Sequence, residues 1–101
     1  MKRFKVGSKD SIKPGCGIAL NLLGKKYAVF NIDGNYYGMD GACRHMKAAL
    51  VKGKITGTIV TCSMHDWQYD ITSGRCLTED WASVNTYPVE IENGIVYIII
   101  D

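Results

Sequence analysis

Turn signals recur along the chain at short intervals, and this spacing restricts the fold more than any other feature of the sequence. They stand at residues 32–36 (IDGNY), 52–58 (KGKITGT), 72–75 (TSGR) and 92–95 (ENGI). The segments between them are rich in Val, Ile, Tyr and Thr, which favour strands, and helical periodicity is almost absent. The chain is therefore predicted to fold as a series of short strands.

Two of these turns predict β-hairpins. The strand pattern of residues 26–32 meets that of residues 36–39 across an Asp-Gly-Asn turn, and Asn93-Gly94 separates residues 87–91 from residues 95–100. Gly and Asn adopt positive φ angles at little cost, which suits the tight turn of a hairpin. We therefore expect antiparallel pairing within both segments.

A third strand is predicted at residues 67–71 (WQYDI), where Trp67, Tyr69 and Ile71 alternate with polar side chains and so share one face. Residues 40–53 and 78–84 lack a strand pattern, and residues 48–50 could form at most one helical turn. The sequence predicts one all-β domain of antiparallel strands, a sandwich or small barrel.

The charge distribution is uneven, although the net charge is only +2. Residues up to Lys54 include 11 basic and 3 acidic side chains, whereas the residues after it include 1 basic and 7 acidic ones. The basic residues are scattered and accompany no recognition helix, so nucleic acid is not an expected partner. The sequence has no apolar stretch of membrane-spanning length and no secretory signal, so we expect a soluble, cytoplasmic protein without membrane contact.

Both histidines of the chain stand beside a cysteine. The pattern is Cys43-x-His45, sixteen intervening residues, and then Cys62-x-x-His65. In a reducing cytosol such cysteines are more often metal ligands or free thiols than disulfides. One interpretation is that all four are ordinary buried side chains, but random placement rarely puts every histidine at a ligand spacing.

Two metal sites fit this donor set. Structural zinc accepts two thiolates and two imidazoles, but its usual motifs pair cysteine with cysteine and histidine with histidine. In the Rieske arrangement of a binuclear iron–sulfur cluster, one iron takes two thiolates and the other takes two imidazoles. Each loop here contains one thiol and one imidazole, which favours the second arrangement.

The sequence resembles the Rieske [2Fe–2S] ferredoxin family. The resemblance rests on CRH at 43–45, CSMH at 62–65, GK at 53–54 and WQYDITSGRCL at 67–77. It implies an all-β, Rieske-like antiparallel sandwich or barrel, in which a base formed by about residues 1–39 and 78–101 carries an inserted cluster-binding subdomain at about 40–77. It also implies one [2Fe–2S] cluster, with the inner iron bound by Cys43 and Cys62 and the outer iron bound by His45 and His65.

The resemblance is to ferredoxins that serve oxygenases rather than to subunits of respiratory complexes. High-potential members have two further cysteines at the positions of Ala48 and Met64, and a serine at the position of Trp67. None of these is present. We therefore expect a potential near the lower end of the family range, which is about −150 to +300 mV. Tyr69 is a candidate hydrogen-bond partner of a ligand sulfur, or else a packed strand aromatic.

The family usually has Pro after each ligand cysteine and Gly after the second histidine, whereas this chain has Arg44, Ser63 and Asp66. Asp tolerates a left-handed conformation better than most residues, so Asp66 is compatible with a tight turn at this position. Cys16 and Cys76 fit no ligand scheme. We expect them to be buried or half-buried free thiols, with a disulfide between them left open.

The resemblance implies a one-electron carrier, not an enzyme, and no catalytic residue is expected. Such a monomeric protein would take electrons from a flavin-dependent ferredoxin reductase and pass them to a terminal oxygenase or similar acceptor. The candidate docking residues are Arg44, Met46, Lys47, Met64, Asp66 and Trp67. Two alternatives are a Rieske-like small subunit of a nitrite-reductase-type complex and a zinc-stabilised binding module.

Overall fold

The computed structural model describes residues 2–43, 49–64 and 66–100. The strands are β1 (Lys2–Ser8), β2 (Cys16–Leu22), β3 (Lys25–Ile32), β4 (Asn35–Asp40), β5 (Lys54–Thr56), β6 (Ile59–Thr61), β7 (Gln68–Asp70), β8 (Thr86–Tyr87), β9 (Val89–Glu92) and β10 (Ile95–Ile100). Short 3-10 turns occur at Lys9–Ser11, Leu50–Lys52 and Asp80–Ala82. In these described ranges there is no helix that could span a membrane.

The strands form three antiparallel sheets. Their orders are β1-β10-β9, β2-β3-β4-β8 and β5-β6-β7. The predicted all-β antiparallel fold is confirmed. The third sheet lies within residues 40–77 of the chain, while the strands of the other two come from residues 2–40 and 86–100. The division into a base and an inserted subdomain stays a prediction.

Both predicted hairpins are present. The turn between β3 and β4 has positive φ at Asp33 and Gly34, and the turn between β9 and β10 has positive φ at Asn93 and Gly94. A further hairpin joins β2 to β3 through Leu23 and Gly24, which also have positive φ. Sequence patterns did not predict it, because leucine rarely adopts the left-handed region.

Strand β3 is buried on both faces and lies between two apolar cores. Tyr27 and Val29 point into one core, with Ile12, Val96 and Ile98. The alternate residues Ala28, Phe30 and Ile32 point into the other, which also contains Cys43, Cys62 and Tyr69. Successive side chains of a strand face opposite ways, so one strand contributes to both cores. The second core, which we call the cysteine core, contains the two candidate thiol ligands.

The two segments without a strand pattern contain short turns. The 3-10 turn at Leu50–Lys52 begins at the last residue of the predicted helical turn, and the one at Asp80–Ala82 lies within residues 78–84. Leu50 and Ala82 are both buried in the cysteine core. These turns therefore anchor the two irregular segments to the part of the molecule that contains the cysteines.

Candidate metal centre

The first motif lies on a loop that follows β4. Ala42 and Ala49 form an isolated antiparallel bridge. The N–H of Leu50 donates to the carbonyl of Gly41 at 2.9 Å. Residues 42 and 49 are thus paired at the base of the loop, and Cys43 is the first residue beyond this closure.

The second motif lies on a tighter loop between β6 and β7. The N–H of Cys62 donates to the carbonyl of Trp67 at 2.7 Å, which closes the loop one step beyond the Thr61 and Gln68 pair of the sheet. Asp66 has a φ of 59°. The expectation that Asp66 tolerates a left-handed turn is confirmed, and Cys62, like Cys43, stands at the start of its loop.

The segment after the first loop packs tightly against the strand that leads into the second. A Cβ on Gly53 would lie 2.2 Å from the carbonyl oxygen of Thr61, a distance that no side chain can occupy. Gly53 has a φ of −77°, which any residue adopts, so it is the close approach and not the backbone conformation that requires glycine. This contact brings the two loops together at their bases.

Cys43 and Cys62 are both fully buried in the cysteine core. Burial raises the pKa of the Cys62 thiol, and a hydrogen bond with the Cys43 side chain raises it further. The N–H of Met64, at 3.5 Å from the Cys62 sulfur, acts in the opposite direction because it favours the thiolate. The two sulfurs are therefore neighbours, although nineteen positions separate them in the sequence. Paired, buried thiols at the start of two loops suit a metal centre that takes two thiolates, and binding there must displace thiol protons.

The hydroxyl of Tyr69 lies 3.4 Å from Cys43 Sγ. The residue is fully buried in the cysteine core, on the strand that leaves the second loop. Trp67, Tyr69 and Ile71 share one face, as predicted from their alternation, since all three pack in this core while Gln68 is exposed. Tyr69 is thus both a packed strand aromatic and a polar neighbour of a candidate ligand.

Several predicted site residues lie outside the described residues: Arg44, His45, Met46, Lys47 and His65. Among the other docking candidates, Met64 and Asp66 are exposed, whereas Trp67 is half-buried and packs against the cysteine core. Trp67 also meets Trp81 edge to face, with ring centroids 5.7 Å apart. Trp81 was not among the predicted site residues, although a tryptophan in the polar stretch TEDWASV is an unusual placement that could have signalled it.

Asp40 is a second residue that the motifs did not reveal. Its carboxylate accepts hydrogen bonds from the Tyr87 hydroxyl at 2.7 Å and the Asn85 N–H at 2.9 Å, and pairs with Lys25 Nζ at 3.0 Å. It stands three residues before Cys43, so these bonds fix the chain where it enters the first loop. The partners are distant in sequence, and no local pattern signals them.

The other two cysteines are free thiols. Cys76 is buried in the cysteine core, as expected, and its sulfur lies 3.4 Å from the N–H of Glu79. The expectation was wrong for Cys16, which is exposed. It begins β2, an edge strand whose outer side no other strand covers in the described structure.

Comparisons with known proteins agree with this geometry. The family model for the Rieske [2Fe-2S] domain matches residues 2–88. The ferredoxin component of the naphthalene 1,2-dioxygenase/salicylate 5-hydroxylase systems of Ralstonia sp is 32% identical, over 83% of this chain and 82% of that protein. Among solved structures, the Sphingomonas yanoikuyae B1 ferredoxin is 31% identical with a TM-score of 0.89, covering 99% of this chain and 100% of that one.

A solved complex of reduced oxygenase and oxidised ferredoxin in carbazole 1,9a-dioxygenase also contains a chain of this fold. Its TM-score is 0.88 at 23% identity, over 95% of this chain and 91% of that one. Two β-framed loops each bury one thiol in a shared core, and together they define an all-β domain with a thiol-containing loop pair. The chain belongs to the Rieske [2Fe-2S] domain family, which is a family of iron–sulfur proteins. The predicted family and the predicted class, an electron carrier and not an enzyme, are confirmed.

Proposed function

We propose that this chain carries single electrons through one [2Fe–2S] cluster held by Cys43, His45, Cys62 and His65. The observation that supports it most directly is the pair of buried, neighbouring thiols at the start of two closed loops. When bound, such a cluster accepts and releases one electron; with two thiolates and two neutral imidazoles it is uncharged when oxidised and carries one negative charge when reduced.

Two polar groups of the protein are positioned to stabilise the extra negative charge of the reduced cluster. The Met64 N–H faces the Cys62 sulfur and the Tyr69 hydroxyl lies beside the Cys43 sulfur, so each thiolate has a polar hydrogen near it. Hydrogen bonds to the sulfurs stabilise added negative charge and raise the potential, while burial in an apolar core opposes it. High-potential members of the family have a serine at the position of Trp67, and tryptophan has no hydroxyl group to replace it. We therefore place the reduction potential near the lower end of the family range.

We further propose the direction of transfer and the physical form of the carrier. Electrons come from a flavin-dependent ferredoxin reductase and go to a terminal oxygenase or similar acceptor, and the carrier is a cytoplasmic monomer. Met64, Asp66 and Trp67 on the second loop, together with Arg44, Met46 and Lys47 on the first, form the docking face. The exposure of Met64 and Asp66 supports this assignment.

The inserted subdomain at about residues 40–77 has a clear purpose in this proposal. We propose that it bears both ligand loops and rests on the base, about 1–39 and 78–101; the β5-β6-β7 sheet falls within its range. Buried residues of the base, such as Phe30 and Val84, pack with Cys43 and Cys62 in one core. We expect this shared packing to hold the ligand loops in similar positions in the two charge states, which favours fast electron transfer.

The test is the metal content and the low-temperature electron paramagnetic resonance spectrum of the purified full chain. We expect two irons and two acid-labile sulfides per chain, a silent oxidised state, and a rhombic signal after dithionite with a mean g value below that of the free electron. Zinc in place of iron, or no metal, would overturn the proposal and favour a zinc-stabilised binding module or a ligand-free small subunit.

Cysteine variants assign the ligands. Cys43→Ser and Cys62→Ser should lose the signal and most of the iron, because serine is a poor substitute for a cluster thiolate. His45→Ala and His65→Ala should do the same. Cys16→Ser, at an exposed thiol, is the matched control and should retain both. A full signal in Cys43→Ser or Cys62→Ser would refute the ligand assignment.

A further inference from the structure

A cluster of exposed apolar side chains lies beside the second loop. Five large apolar side chains are exposed among the described residues, and three of them, Met64 (43%), Leu77 (48%) and Trp81 (64%), fall between positions 64 and 81. We call Met64, Trp67, Leu77 and Trp81 the tryptophan face.

Hydrogen bonds and ring packing connect this face to the loop that bears Cys62. Trp67 closes the loop, since its carbonyl accepts the Cys62 N–H at 2.7 Å. Its ring meets the Trp81 ring at a centroid distance of 5.7 Å and an interplanar angle of 78°. The N–H of Leu77 donates to the carbonyl of Gln68, the residue after Trp67, at 2.8 Å. Leu77 and Trp81 thus flank the residue that closes the loop.

The fold does not require this much apolar surface in water. The Trp81 ring packs against that of Trp67, and about two thirds of the Trp81 surface remains exposed. Exposed tryptophan side chains are typical of the centre of a protein–protein interface, where tryptophan often contributes much of the binding energy. The stability of the domain alone does not explain why these apolar side chains are exposed.

Three exposed acidic side chains lie next to the tryptophans of this face in the sequence. Asp66 directly precedes Trp67, and Glu79 and Asp80 directly precede Trp81. All three carboxylates are exposed. Arg75 is the only basic residue after Lys54, and it already pairs with Asp80 at 3.8 Å. An apolar centre with an acidic border is complementary to a surface with an apolar centre and a lysine- or arginine-rich border.

We propose that the tryptophan face, with Asp66, Glu79 and Asp80, is the docking surface for a basic electron-accepting protein. This rests on the proposed electron-carrier function and narrows the proposed docking face to the side of the second loop, so that Arg44 and Lys47 of the first loop are not part of the surface that the basic partner contacts. Trp81 and Leu77 supply the apolar contact, and the carboxylates orient the encounter. The rate of transfer to such a partner should fall as salt concentration rises, because salt screens the attraction.

Oxidised cytochrome c serves as the probe, because it is a basic electron acceptor that is easily followed by absorbance. The cluster-loaded protein, reduced with dithionite and freed of excess reductant, is mixed with it by stopped flow, and one electron passes from each reduced chain to one ferric haem. A neutral benzoquinone, which needs no docking surface, is the second acceptor. Reduction potential and the electron paramagnetic resonance spectrum are recorded for each variant.

Trp81→Ala should lower the second-order rate constant for cytochrome c about tenfold at low salt, which corresponds to the loss of one strong interface contact. Asp80→Lys leaves both tryptophans in place, and the Asp80 side chain is 94% exposed. This variant should lower the rate constant for cytochrome c severalfold and weaken the salt dependence of that rate constant. Matched controls on β9 are Ile91→Ala, an exposed apolar residue, and Glu92→Gln, and both should change the rate less than twofold. The benzoquinone rate and the potential should stay constant throughout.

The outcomes separate the two proposals. If the wild-type protein reduces neither acceptor, the electron-carrier function fails. If it reduces both, but Trp81→Ala and Asp80→Lys match the wild type with cytochrome c, or the wild-type rate does not depend on salt, the docking surface is wrong. A lower benzoquinone rate or a shifted potential in Trp81→Ala would show that the residue supports the cluster loop instead of docking a partner.

Discussion

The hydroxyl of Tyr69 lies 3.4 Å from the sulfur of Cys43, across the core in which both residues are fully buried. Tyr69 leaves the second loop on β7, whereas Cys43 begins the first loop after β4. This single contact therefore joins the two loops. It also puts a polar hydrogen next to a sulfur that we assign to the metal centre.

Tyr69→Phe should lower the reduction potential by tens of millivolts, because the hydroxyl hydrogen bond stabilises the more negative reduced state and hydrogen bonds to sulfur tune such potentials. A redox titration followed by visible circular dichroism measures it. The ring and its packing are kept in the variant, so stability should change by no more than about 1 kcal/mol. An unchanged potential would show that the hydroxyl does not donate to the sulfur.

Gly53→Ala should destabilise the protein by more than about 2 kcal/mol, since its Cβ would overlap the Thr61 carbonyl and part the two loop bases. Gly24→Ala is the control: its φ of 81° is strained for alanine, but nothing lies within 4 Å of the added carbon, so it should cost about 1 kcal/mol. Urea unfolding and iron content are measured for both. Equal losses in the two variants would contradict the assigned close approach.

Asp40→Asn should destabilise the protein by about 2 kcal/mol and reduce the yield of iron-loaded chain. The change removes the charge that pairs with Lys25 and weakens the bond from Tyr87, at the point where the chain enters the first loop. Asp33→Asn is a matched control at an exposed hairpin turn, where asparagine adopts the same positive φ. If both variants retain full stability, Asp40 does not anchor the loop.

The free energy of unfolding should decline at alkaline pH because of the interactions among Asp40, Lys25 and Tyr87. Hydrogen bonds to Tyr87 and Asp40 raise the pKa of Lys25, and burial raises the pKa of Tyr87. Both folded-state pKa values exceed the unfolded ones, about 10.4 for Lys and 10 for Tyr, so this stabilisation is fully present below pH 10 and is lost as pH rises through the folded values.

Urea unfolding between pH 8 and pH 11.5 measures that decline. About half of the Lys25 side chain is exposed, so solvent screens the interaction and we expect it to contribute about 1 kcal/mol at most. Lys25→Gln should be less stable than the wild type at pH 8 and should lose less stability on going to pH 11. A parallel decline in the variant and the wild type would exclude Lys25 as a cause.

Local sequence patterns determined much of this protein. The Asp-Gly and Asn-Gly turns, the alternation in residues 67–71 and the all-β class could all be read directly, because turn geometry and strand periodicity depend on neighbouring residues. The mixed Cys/His spacing likewise indicated the family, because each ligand pair lies within four consecutive residues. Hairpin β2–β3 was missed because Leu23 adopts a conformation that leucine usually avoids.

Only the tertiary structure decided which distant residues support the site. Three contacts show this, because each joins residues that are apart in the sequence and adjacent only in the folded structure: Gly53 against Thr61, Trp81 against Trp67, and Asp40 with Tyr87. The exposure of Cys16 depends in the same way on its position at a sheet edge. Sequence by itself supplied the candidate donor atoms, because Cys/His spacing is a local feature, but packing between segments far apart in the chain decided what surrounds Cys43 and Cys62.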